Sequence, residues 1–351
     1  MSKFKIILLF SILILFSGCA SKKKNDTSAI DGGVFKSINK GVSWSQKAKF
    51  VADKNLSTFR SADMTAMVMD PSDHKTLYYG AIRGGLYYTY NGGEIWQKAR
   101  DLANNSIRAI SVDLKNKCII YTTIGNRVFK TDDCSRTWKQ IYIDNQTNIT
   151  IDAVAVDHYN SQIVYFGNSR GDFIKSLNGG ESWQTFYRFG HKISNIFIDP
   201  NDSRRIFVQV EKRGIEETLD GGLNWEKVDD ALKDLKLGTA VKDLVLIKDK
   251  PEVRFFATNQ GIILTEDNGK TWKKLKLILP DKQAQINSFA VNPKNINEIY
   301  YVTDRVFYRS IDKGKTWTPT KLKSSRRGWE LLVDPVEPNV IYMGLRARPK
   351  K

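Results

Sequence analysis

Ser310-Ile311-Asp312-Lys313-Gly314-Lys315-Thr316-Trp317 is the stretch on which the fold turns. A hydroxyl opens it, a carboxylate follows two positions on, a glycine two after that, and a large aromatic closes it. Short oxygen-bearing side chains bond turn amides, and glycine accepts a positive φ, so this is the chemistry of a tight turn. The pattern Ser/Thr-x-Asp/Asn-x-Gly-x-x-Trp recurs at Ser37–Trp44, Thr89–Trp96, Thr131–Trp138, Ser176–Trp183, Thr218–Trp225, Thr265–Trp272 and Ser310–Trp317. Asn39, Asn91, Asp133, Asn178, Asp220, Asp267 and Asp312 fill its third slot, and Trp44, Trp96, Trp138, Trp183, Trp225, Trp272 and Trp317 its last. Only the third copy departs, with Ser135 where glycine is expected. The tryptophans lie 52, 42, 45, 42, 47 and 45 residues apart.

A strand-like run such as Val306-Phe307-Tyr308 precedes each copy. Between copies stands a second signature, an apolar run ending in Asp-Pro or a relative and then another apolar run. Val68-Met69-Asp70-Pro71 leading to Leu77-Tyr78-Tyr79 is one case. Each unit therefore holds four short strands in 42–52 residues, the size of a propeller blade. The predicted fold is all-β: a single seven-bladed β-propeller with four antiparallel strands per blade. The chain opens with the second half of a unit and ends with a first half, so both termini complete one blade and leave no open sheet edge.

The domain reading follows. Residues 1–18 are a signal peptide, 19–31 a lipidated cysteine and flexible tether, and 32–351 the propeller. Lys3 and Lys5 precede an apolar run from Ile6 to Phe16, too short to span a bilayer, and Ser17-Gly18-Cys19 closes it. The layout resembles a bacterial lipobox, which implies lipidation at Cys19, palmitate among its acyl chains, and attachment to a membrane of the bacterial cell envelope. The formal charge is +17, or +15 once Lys3 and Lys5 are removed, and predicts acidic partners.

The repeated octapeptide is the Asp-box, and the chain resembles the Asp-box (BNR) propeller superfamily. That group includes sialidases, xyloglucan-degrading glycoside hydrolases, sortilin-type receptors and photosystem II assembly-factor propellers; the last two are nearest in size and form. The resemblance covers residues 32–345 and implies that each box lies in the hairpin between third and fourth strands. It also implies that ligands meet the opposite face, built by the second-to-third-strand turns and the connections between blades. The box acids read as structural, since one acid per well-separated blade makes no shared oxygen cage; no metal and no cofactor are expected. Cys118 and Cys134 stand equally far from the turn near Asn126, and export to an oxidising compartment favours a disulfide between them.

Aligned by their boxes, the blades place Arg83, Arg127, Arg170, Arg213, Arg305 and Arg346 at the second-to-third-strand turn, with Gln260 in the sixth. Arg108, Arg188, Lys192, Arg326 and Arg327 in the connections add to them. Guanidinium forks suit carboxylate and phosphate, so this face is expected to bind an acidic protein segment or an anionic polysaccharide. The competing reading pairs each arginine with a neighbouring acid such as Asp172, Glu211 or Asp304. Glycoside hydrolysis is the alternative function and needs two carboxylates flanking a sugar. Asp63, Asp152, Asp172, Asp243 and Asp304 are its candidates, and spacing singles out no pair. The chain is expected to be a monomer, and its charge is not expected to serve nucleic acid.

Overall fold

The computed structural model describes residues 31–52, 55–228, 241–258, 261–279 and 285–349. The expected signal peptide, Cys19, most of the tether and Gln260 lie outside the described residues. Apolar alternation folds the chain into seven four-stranded antiparallel sheets set around an axis, and the described residues contain no α-helix.

Blades are numbered here by their boxes. Blade 2 runs outward from the axis through Asp63–Met69, Leu77–Ile82, Gly85–Thr89 and Gln97–Lys98. The inner strands of blades 3 to 7 are Ile107–Val112, Ile151–Val156, Ile193–Ile198, Val241–Ile247 and Ser288–Val291. Blade 1 is built from both ends of the propeller. Its two inner strands are Arg327–Val333 and Ile341–Arg346, and its two outer strands are Val34–Ser37 and Ser45–Lys47. Val34 pairs with Gly344 and Ser37 with Ile341, so the main chain itself closes the ring.

Each inter-blade interface carries its own apolar core. Met64, Tyr79 and Trp96 of blade 2 pack on Val34 and Tyr342 of blade 1, and six equivalent clusters fill the other interfaces. The box tryptophans contribute to these seams. Trp225 meets Phe173 of the preceding blade at 5.1 Å and Trp44 meets Phe307 of blade 7 at the same distance, both edge to face. Trp96 is fully buried, and its Nε1 donates to the Lys47 carbonyl at 3.0 Å.

One insertion departs from the repeat. The connection from blade 1 to blade 2, where the tryptophan spacing reaches 52, carries an additional hairpin, Lys49–Ala52 and Asn55–Thr58. It lies along the outer edge of blade 2, where Val51 N donates to the Trp96 carbonyl at 3.0 Å.

Candidate functional site

Strand alternation gives the ring two distinct faces. The boxes and the first-to-second-strand turns share one; the second-to-third-strand turns and the inter-blade connections share the other.

On the box face the polar groups are spent on the turn. Ser310 Oγ donates to Asp312 at 2.8 Å and accepts from Gly314 N at 2.8 Å, and Asp312 Oδ1 accepts from Thr316 N at 2.9 Å. The same first-to-third-residue bond recurs in the other six boxes, at 2.7–2.9 Å. The hydroxyl and then the amide of Thr271 and of Thr316, donating to Asp267 and Asp312, hold those two carboxyls down at about 2. Ser135 occupies the glycine slot at φ 69°, and its N donates to Thr131 Oγ1 as the glycines do. Cys118 and Cys134 form a disulfide. They lie just beyond the paired strands rather than within them, so the bond ties the box turn of blade 3 to that blade's first-to-second-strand turn.

The opposite face is cationic but uneven. Arg83, Arg127 and Arg305 are exposed and make no ion pair among the described residues. Arg170 is held by Asp172 at 2.6 Å and Asp144 at 3.2 Å. Arg213 is bonded to Glu216 at 2.8 Å, where the sequence pointed to Glu211, and its guanidinium lies 5.7 Å from the centre of the Phe189 ring. Arg346 and Arg327 both lie over Trp329, at 4.3 and 4.6 Å. The six arginines thus occupy similar turns in different electrostatic states. The unneutralised ones lie on blades 7, 2 and 3, to either side of the stacked pair on blade 1. Blades 4 and 5 carry the neutralised ones.

The connecting cations divide in the same way. Arg326 is buried against Asp63 and Asp31 and fastens the chain ends to blade 2. Arg188 bonds Asp172 at 3.2 Å, while Arg108 and Lys192 converge on Asp152 at 2.6 and 3.3 Å. Arg108 and Lys192, together with Arg327, Trp329 and Glu330, line a cavity of about 480 Å³ where the inner strands meet around the axis.

Of the five acids considered for hydrolysis, no two form a pair. Asp63, Asp152 and Asp172 hold cations, and Asp304 accepts from Asn287 Nδ2 at 2.9 Å. The Asp243 charge instead acts on Glu330, which the sequence reading did not single out. Burial pushes Asp243 up to about 7, and burial and the nearby Asp243 charge push Glu330 well above the usual carboxylate range. Trp329 was equally unmarked, although it is the one tryptophan of eight outside a box, and that exception was the available signal.

Residues 260–347 match the Sortilin-Vps10 family (sortilin, neurotensin receptor 3). That match covers 88 of the 351 residues, and the class rests on the seven boxes and the seven closed blades. The chain is an Asp-box propeller. Among solved structures it is similar to the GH74 enzyme of Niastella koreensis, with 17% identity and a TM-score of 0.64 over 81% of this chain and 51% of that one. The GH74 xyloglucanase of Xanthomonas campestris gives 16% identity and a TM-score of 0.64, again over 81% of this chain and 51% of that one. The Asp-box propeller therefore spans about half the length of these two enzymes. YCF48 bound to D1 peptide is similar over 83% of this chain and 94% of that one, with 13% identity and a TM-score of 0.61. At these identities the likeness is one of fold. Among curated proteins, none matches the sequence.

Proposed function

We propose that this Asp-box propeller is a non-enzymatic cell-envelope lipoprotein whose cationic face captures an acidic protein client. The observation that carries the reading is the arc of exposed, unpaired arginines, Arg305, Arg83 and Arg127, flanking the stacked Arg346, Trp329 and Arg327. Exposed charge without an ion-pair partner is available to a carboxylate, whereas Arg170 and Arg213 have already committed theirs. A similar propeller of nearly the same length bound to a peptide supports a protein client over a soluble metabolite. Lipidation at Cys19 would hold that face at a membrane surface.

The test is capture from solubilised envelope material at low and high salt, with the native propeller and an Arg83→Asn, Arg127→Gln, Arg305→Gln variant. Arg83 sits at φ 58°, and Asn tolerates that conformation. A discrete protein retained by the native chain and lost from the variant supports the reading; equal capture by both overturns it. Heterogeneous, salt-labile glycan would point to an anionic polymer instead.

One observation favours hydrolysis as the second reading: Glu330 lines the axial cavity with its carboxyl raised by burial and by the nearby Asp243 charge, and GH74 enzymes share the blade architecture. Release of oligosaccharide from xyloglucan or envelope glycan, abolished in Glu330→Gln, would establish it.

A further inference from the structure

The inserted hairpin builds a second recess on the cationic face, at its rim. Phe50 of the hairpin and Phe59 just after it meet Tyr87 of blade 2, edge to face at 5.3 Å and stacked at 4.6 Å. Between this aromatic wall and the Arg83 turn lies an open cavity of about 450 Å³, with Lys98 along its side. Lys98 Nζ stands 5.7 Å from the Tyr87 ring centre. Neither Arg83 nor Lys98 makes an ion pair among the described residues. Asp63 is the one carboxylate in the lining, and its Oδ1 is already occupied by Arg326 and by the Ala347 amide. The recess therefore offers two cations without an ion pair beside a half-buried phenyl ring, and its one carboxylate is engaged through Oδ1 with groups other than these two. Such a recess suits a group that is aromatic at one end and anionic at the other, since rings pack edge to face and a carboxylate answers the cations.

We infer that this rim pocket holds an aromatic side chain of the acidic client, with the carboxylates flanking that side chain bound by Arg83 and Lys98. The inference rests on the client-binding reading and adds to it a sequence preference: acidic residues alone dock on the arc, and an aromatic residue among them fixes register. The hairpin gives the pocket a wall that the blades of ordinary spacing lack, so one site, not seven, does the reading.

The test is fluorescence polarisation with the native chain and two labelled peptides, one alternating Glu and Phe, the other alternating Glu and Ser. The Phe peptide is expected to bind at least about tenfold more tightly. Arg83→Asn with Lys98→Met should abolish that preference, whereas Arg127→Gln with Arg305→Gln should weaken both peptides and leave the preference intact. Unchanged thermal melting certifies each variant as folded, and Phe50→Leu, which keeps apolar bulk, provides a second route to the same loss. Equal binding of the two peptides to the native chain overturns the pocket alone. A preference that survives Arg83→Asn with Lys98→Met does the same. No binding of either peptide overturns both the pocket and the client-binding face.

Discussion

At the scale of single residues, the box was legible because its chemistry is local. A hydroxyl, an Asx oxygen and a positive φ close one turn, and none of them needs a distant partner. Asn at 39, 91 and 178 makes the same contacts as Asp elsewhere, so charge is incidental to the turn. Asp267 and Asp312 nevertheless titrate near 2, below the ordinary 3.8, so the stability they lend is complete above about pH 4 and is lost as pH falls toward 2. Asp267→Asn with Asp312→Asn should therefore melt like the native chain at pH 7 and lose less stability between pH 4 and pH 2. An acid limb identical to the native one would show that these carboxylates are not its source. Trp96→Ala should cost about 3–5 kcal/mol in denaturant unfolding, because the ring is fully buried and its Nε1 is bonded. The states of the arginines were only partly legible. Asp172, two residues from Arg170, was a readable partner, but Asp304 is nearer still to Arg305 and makes no ion pair with it, and only the fold brings Asp144 to Arg170.

At the scale of elements, strand count and order could be read from two alternating signatures, since each strand's burial pattern is its own. The hairpin at 49–58 was visible only as an over-long spacing. Its apolar residues, Phe50 and Val51, carry no repeat against which to align them, and their partner Trp96 lies in the next blade. The disulfide was legible as a pairing and less so as a position. Symmetry about Asn126 matched the cysteines, but the strands end before reaching them. Because the bond joins two turns that a hairpin already holds close, Cys118→Ser with Cys134→Ser should cost no more than about 3 kcal/mol, the loop-entropy value for a loop of this length. A larger loss on calorimetry would mean that blade 3 depends on the bond for its packing.

At the scale of the whole molecule, closure was written in the order of half-units: the chain starts on outer strands and ends on inner ones. Truncation after Asn339 removes Ile341–Arg346 and with it the partner of Val34–Ser37. Such a chain should lose its single cooperative transition and aggregate through the exposed edge. The axial cavity escaped the sequence because it has no local signature; Arg108, Lys192, Arg327 and Glu330 come from three blades and meet only when the ring shuts. The same closure sets the bare arginines of blades 7, 2 and 3 beside the stacked pair of blade 1, and this asymmetric arc is the core of the functional account. Its most direct test is the affinity of the native chain for poly-glutamate, measured across a salt series beside two triple variants. Arg83→Asn, Arg127→Gln, Arg305→Gln removes unpaired charge; Arg170→Gln, Arg188→Gln, Arg213→Gln removes the same number of paired ones. The account predicts that the first variant loses at least about tenfold in affinity and most of the salt dependence, while the second stays close to the native chain. Equal losses in the two would contradict it, because binding would then follow net charge and not the arc.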